Sequence, residues 1–295
     1  MGRHLVRSLV ARGENIIAVT RRPVDFGTAN VEAFVGDLRE PGQFMPLIAR
    51  SRAVVHLASR STPGSSAGNA MAELHDNLHP TLALLQALQR KPQTKLLYLS
   101  SGGSLYDANP RELATETAGI HPRSYHGAGK IAAEHFISAW CSQSGGAATI
   151  LRPSNIYGPG QTERTGFGIV PTGFGKMLRG ETLTVWGDGS AIRDYLYIDD
   201  LTTLCMSVLA ADMPKGSRVF NAASGIGVTL NDLLDSMEAV AGEKLHRTYD
   251  AGRAVDAIRV VMDASFANRQ YGWASKTPLH EGLRQTWNWF NTTRH

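Results

Sequence analysis

Apolar residues follow two rhythms along the chain. Leu5, Val6, Leu9 and Val10 recur at the spacing of a helix's buried stripe, and Gly13 stands where a left-handed residue can close that helix. Short apolar runs at 16–19, 31–35, 53–58, 96–99 and 148–151 have the pattern of strands buried on both faces. The stretches 70–89 and 124–142 carry a helical pattern and are long enough for right-handed crossovers, so this part of the chain predicts a doubly wound parallel α/β sheet. After Pro153 the texture changes. Residues 157–168 are rich in Gly and Pro, and shorter helices with scattered strands predict a smaller α/β domain. Thr229 heads one such helix as its cap, and the last helix starts near Pro278 with Leu279, Leu283, Thr286, Trp287 and Phe290 on one face. The division predicted is a dinucleotide-binding domain over 1–152 and a mainly substrate-binding domain over 153–295, partly interleaved with the first.

Composition adds little beyond a globular class. With 42% hydrophobic and 19% charged residues in 295, the chain can bury a large core. The net charge of +4 is spread along the sequence, which argues for small anionic ligands and against nucleic acid. Cys141 and Cys205 lack metal-ligand spacing and read as buried free thiols, and no metal site is expected. No apolar run approaches the length of a membrane span, and Met1 to Leu9 has no leader-like core, so a cytoplasmic protein without membrane contact is expected.

A dinucleotide fold begins with a strand, a glycine-rich turn and a helix whose N-terminal amides hold the pyrophosphate. Here Gly2, followed by Arg3, His4 and Leu5, reads as the last glycine of such a turn. The first strand and most of the turn are therefore absent from these residues. Either Met1 lies inside a longer reading frame, or the protein starts here with most of its phosphate cradle gone. The missing strand is central in the usual order, so its loss predicts two sheet halves with unpaired edges. At the end of the run closing at Val19, Arg21 and Arg22 stand where an NAD site commonly carries an acidic residue. They could face a 2′-phosphate or be solvated, which leaves NAD and NADP both open.

Further motifs follow in fixed order: Gly36-Asp37-Leu38; His56-Leu57-Ala58-Ser59; Asn77; Lys130 followed by Ile131, Ala132, Ala133 and Glu134; the segment Leu151 to Gly158; Trp186-Gly187-Asp188-Gly189; Arg193-Asp194-Tyr195; and Arg253 with Asp256. Together they resemble the extended short-chain dehydrogenase/reductases, the NAD-dependent epimerase/dehydratase family, over nearly the whole chain. The resemblance implies a Rossmann-type sheet with a smaller substrate domain, NAD or NADP as cofactor, and a nucleoside-diphosphate sugar as ligand. The activity implied is 4-epimerisation by transient oxidation, with roles in surface polysaccharide synthesis, and a homodimer is implied through the helix of Lys130. By the same resemblance Gly2, Arg21, Asp37, Leu38, Leu57, Ala58, Ser59, Asn77 and Lys130 line the cofactor, whereas Asn155, Arg193 and Arg253 hold the sugar diphosphate. A guanidinium fork suits such an anion. Trp273, Trp287 and Trp289 read as packing residues.

Two catalytic positions depart from the family. A tyrosine is usual four residues before the lysine, but His126 stands there. Tyr125 is five residues away, about 140° round a regular helix from the lysine against about 40° for His126. Three readings stay open: a histidine base, Tyr125 swinging in at an irregular helix start, or an impaired site. The usual hydroxyl position falls on Gly102, with Ser104 as the best substitute and Ser101 behind it. A non-catalytic sugar-nucleotide-binding homologue and a reductase or dehydratase are the alternatives.

Overall fold

The computed structural model describes residues 1–61, 68–106, 112–164, 166–252 and 257–292. The chain runs α1 (Gly2–Ala11), β1 (Ile16–Thr20), β2 (Val31–Val35), α2 (Pro41–Ala49), β3 (Ala53–His56), α3 (Ala70–Glu73), a wide π turn (Leu74–Leu78), α4 (His79–Leu88), β4 (Lys95–Leu99), α5 (Tyr125–Ser144) and β5 (Ala147–Pro153). It continues through β6 (Asn155–Tyr157), α6 (Ile169–Arg179), β7 (Leu183–Trp186), β8 (Ile192–Tyr197), α7 (Ile198–Ala210), β9 (Gly216–Ala222), β10 (Gly227–Thr229), α8 (Leu230–Ala241), β11 (Arg247–Asp250), β12 (Arg259–Val260), α9 (Ser265–Tyr271) and α10 (Leu279–Thr292).

Strands β3, β4, β5 and β9 form one parallel sheet in that order, while β1 and β2 pair in parallel as a separate two-stranded sheet. The two halves share one hydrophobic core, since Ile17, Val19 and Phe34 of the small sheet and Val54 of the large one pack against the same cluster. No ladder joins β1 to β3 among the described residues, as anticipated for a sheet interrupted at its centre.

Alternation of side chains along each strand explains the two coats of helices. Leu96, Tyr98 and Ile150 face one way, into a core closed by Phe44 of α2, Leu84 and Leu88 of α4, and Ile137 and Trp140 of α5. Leu97, Leu151 and Phe220 face the other way, against Leu5 of α1, Leu201 and Leu204 of α7, and Ala267 of α9. A further core gathers Phe174, Val185, Tyr197, Leu234 and Trp287 around α6, α8 and α10, beside the small sheets β7–β11 and β10–β8–β12. The interleaving is visible in β9, which comes late in the chain yet completes the main sheet, in register from Ala147↔Gly216 to Pro153↔Ala222.

Local signals behave as their chemistry requires. Thr229 accepts from the amide of Asp232 and caps α8, Ser124 accepts from that of Gly127 and caps α5, and both cysteines are buried free thiols. Trp273 and Trp287 are buried, whereas Trp289 is only partly so. The strand expected over 53–58 stops at His56, leaving Leu57 and Ala58 in the following loop. No described helix is long and apolar enough to cross a membrane.

Candidate active site

The carboxyl ends of β3, β4 and β5 open on one side of the main sheet, the edge where open α/β sheets present ligand sites. Helix α5 starts there. Its approach depends on Gly127, because a Cβ at that position would lie 2.6 Å from the carbonyl oxygen of Ser104. Lys130, one turn further on, is buried, and its ammonium donates to the Leu99 carbonyl at 2.8 Å and sits 4.9 Å from the centre of the Tyr98 ring. An ammonium has three donors, and Leu99 takes one. Burial brings the Lys130 pKa down to about 8, against the pull of Glu73 and Glu134 in the opposite direction.

His126 lies on the same face as Lys130, as helical arithmetic requires, and is 8% exposed. Tyr125, the first residue of α5, is 46% exposed. Burial, and then the nearby Lys130, hold the His126 imidazole down to about 4. Nδ1 of His126 is 2.9 Å from Oγ of Ser61, which also donates to the buried carboxylate of Glu73. Asn77, within the π turn, reaches the same hydroxyl through its amide nitrogen. Its carbonyl oxygen accepts from the backbone N–H of Arg60 at 2.8 Å and from the hydroxyl of Ser59 at 3.2 Å.

The segment after β4 carries the hydroxyls. Ser104 donates to Ser101 at 2.8 Å, and both are half-buried. Gly102 is closed off: a Cβ there would fall 2.1 Å from Sδ of Met262 and 3.2 Å from the Pro153 carbonyl oxygen. Next to it, a Cβ on Gly103 would lie 3.7 Å from the Asn155 side chain. Asn155 pairs with Tyr195 across β6 and β8, and Arg193, two residues along β8, shares the face on which Asn155 and Tyr195 project. The Asn155 amide donates to the Asp194 carbonyl at 3.0 Å, and Nη1 of Arg193 donates to the Ile192 carbonyl at 2.9 Å. Arg253 and Asp256 lie outside the described residues.

The remaining cofactor-site candidates lie at the start of α1 and in the segments that follow β1, β2 and β3. Gly2 opens α1, whose N-terminus has no side-chain cap, and His4 ties that helix to the Pro159 carbonyl at 2.8 Å. Arg21 and Ala58 are exposed, and Leu38 and Leu57 pack partly into the two cores. The Asp37 carboxylate is already gripped by the Arg39 guanidinium, which holds its pKa down to about 2. Ser61, Glu73 and Met262 were not foreseen. Glu73 and Asn77 stand four residues apart on a helix, the one pattern in the sequence that could have pointed to a shared partner.

The chain belongs to the NAD dependent epimerase/dehydratase family, whose sequence model it matches over residues 1–223. It is similar to the UDP-glucose 4-epimerase of Mycolicibacterium smegmatis, at 27% identity over 237 residues, covering 80% of this chain and 75% of that protein. Among solved structures, the UDP-glucose 4-epimerase of Thermotoga maritima with UDP-glucose superposes with a TM-score of 0.92 at 27% identity, covering 100% of this chain and 96% of the other. The UDP-glucose 4-epimerase of Thermus thermophilus in complex with NAD gives 0.90 at 27% identity, covering 98% and 95%.

Proposed function

We propose that this chain is an NAD(P)-dependent nucleotide-sugar 4-epimerase. The reading is carried by a buried Lys130–His126 pair on α5, with Asn155 beside Gly103 of the segment after β4 and Arg193 two residues along β8 from Tyr195, the partner of Asn155. One group is suited to move a hydroxyl proton, and the other to hold a diphosphate. The likeness to UDP-glucose 4-epimerases, crystallised with UDP-glucose or with NAD, supports the same reading.

The residues present fit a nicotinamide cofactor at two points. Lys130 has donors to spare for a ribose, and the uncapped first turn of α1, starting at Gly2, suits a phosphate. Asp37, Leu38, Leu57, Ala58, Ser59, Asn77 and Arg21 line the path between and beyond. The cofactor supplies the hydride acceptor; the chain supplies orientation and the proton. Asn155 and Arg193, with Arg253, bind the sugar diphosphate, Lys130 positions the ribose, His126 stands as the proton acceptor, and Ser101 and Ser104 are the nearest hydroxyl donors. The same reading places the protein in the cytoplasm, in surface polysaccharide synthesis, as a homodimer over the outer face of α5, where Phe136 is exposed and Trp140 is buried in the core.

A second reading, a sugar-nucleotide-binding homologue without turnover, is favoured by one observation: Met262 occupies the space that a side chain at Gly102 would need. Incubating the protein with NAD and UDP-glucose or UDP-N-acetylglucosamine, and following the anomeric protons by NMR, separates the two. Appearance of the C4 epimer is the result expected. Saturable binding of the sugar nucleotide with no epimer after long incubation would transfer the case to the binding reading.

A further inference from the structure

The hydrogen bonds around Ser61 have only one consistent polarity if Glu73 is ionised. The backbone N–H of Arg60 can only donate, so the Asn77 atom that it meets at 2.8 Å is the carbonyl oxygen, and the amide nitrogen is left facing Ser61. A hydroxyl has one proton. Ser61 gives it to Glu73, a carboxylate with none to offer, and then accepts from Asn77. What remains for the His126 Nδ1 atom, 2.9 Å from the same oxygen, is to be the donor. The imidazole is thereby held as the Nδ1–H tautomer, and Nε2 keeps its lone pair. Nε2 bonds to no described residue.

Glu73 is placed for this at some cost. It is 3% exposed, its Oε1 makes no hydrogen bond to a described residue, and that oxygen stands 4.0 Å from Nδ1 of His126. Helix α5 accommodates it through Gly129, where a Cβ would fall 2.5 Å from Oε1. A glycine inside a helix weakens the helix, and a π turn directly after Glu73 interrupts a second one. Both irregularities border the same carboxylate.

We propose that Glu73 is a positioning residue which, through Ser61 and with Asn77, fixes the tautomer of His126 so that Nε2 accepts the proton of the sugar hydroxyl. The proposal rests on the epimerase reading for its substrate. In the step, the hydroxyl O–H bond breaks and an Nε2–H bond forms. The hydride from the same carbon goes to an oxidised nicotinamide, and the proton returns from Nε2 when the carbonyl is reduced. The imidazolium in between shares its Nδ1 proton with Ser61, beside the Glu73 carboxylate. A tyrosine at position 126 would need none of this arrangement, since a phenol has no tautomer to select.

The test is direct, because the two imidazole nitrogens give separate ¹⁵N resonances. Long-range ¹H–¹⁵N spectra of the uniformly labelled protein at neutral pH, with His126→Gln used only for assignment, are expected to show a protonated Nδ1 and a bare Nε2. Glu73→Leu frees the Ser61 hydroxyl to donate to Nδ1, and the pattern should invert to Nε2–H. Ser61→Ala should give a mixture, and Ser61→Thr should restore the parent pattern. An Nε2–H imidazole in the parent, or a pattern indifferent to both Glu73→Leu and Ser61→Ala, overturns the proposal. If the parent epimerises, Glu73→Leu should lower kcat about tenfold or more with KM for the sugar nucleotide little changed. A parent with no turnover counts against the epimerase reading alone, and the spectra still decide whether Glu73 sets the tautomer.

Discussion

Replacing Glu134 by Ala should be among the most destabilising single changes available in the sheet domain. Glu134 follows Lys130 by one turn on α5 and is 5% exposed, and its partner Arg152 on β5 is 4% exposed. The guanidinium gives Nε to both carboxylate oxygens at 3.1 and 3.2 Å and Nη2 to one of them at 2.6 Å, while Ser100 donates to the other at 2.5 Å. Nη1 of Arg152 donates to the hydroxyl of Tyr106 at 3.0 Å, and that hydroxyl donates to Asn221 at 2.6 Å. Removing the carboxylate leaves a buried cation whose remaining partners among the described residues are the Tyr106 hydroxyl and, at 3.3 Å, the Glu116 carbonyl. Breaking a buried pair from one side costs about 3–5 kcal/mol. At about 2–4 °C per kcal/mol for chains near this size, the melting temperature should fall by about 6–20 °C in calorimetry or by near-UV circular dichroism. The double change Glu134→Leu with Arg152→Met removes both charges and should recover most of that loss, because an apolar pair of similar volume is commonly no worse than the ion pair. A Glu134→Ala protein that melts within about 1 °C of the parent, at the lower edge of what a surface change gives, would mean that the network is not what joins α5 to β5.

Acid should destabilise the fold before its carboxylates titrate. Burial, then Lys130, brings the pKa of His56 down to about 3 and that of His126 down to about 4. The unfolded imidazoles titrate near 6.5, so below that pH the unfolded chain binds more protons. The stabilisation is complete above about 6.5 and is lost as pH falls, at up to about 1.4 kcal/mol per pH unit for each imidazole, until the folded values are reached. Urea melts at pH 7 and pH 5 should therefore differ by about 2 kcal/mol for each histidine, less in His56→Asn; a flat profile over that range would contradict the burial of both rings. Gly102→Ser should cost about 1–3 kcal/mol by displacing Met262, and less in a Met262→Ala background. If the single change is as stable as the parent, then Met262 yields freely and the closed hydroxyl position loses its explanation.

What could be read along the chain, and what could not, divides by the distance over which each feature is decided. Strands β4 and β5, the cap at Thr229, and the burial of His126 in preference to Tyr125 all follow from rules that act within one turn or one alternation, and each is where those rules place it. The split between β1–β2 and β3–β4–β5–β9 was legible too, as two sheet halves that share no ladder among the described residues. Gly102 shows the other case: its emptiness looked like the loss of a catalytic hydroxyl, yet the volume is filled by Met262, a residue that no spacing connects to it. Ser61 shows the same limit, since a serine in a polar loop differs in no local respect from Ser59 until Glu73, Asn77 and His126 converge on it from two helices. Motifs bring the family's own residues forward, and so they direct attention to the missing tyrosine. The arrangement around the histidine in its place joins one motif residue, Asn77, to Ser61 and Glu73, which stand outside every motif, and only the folded chain gathers all three around the hydroxyl that meets His126.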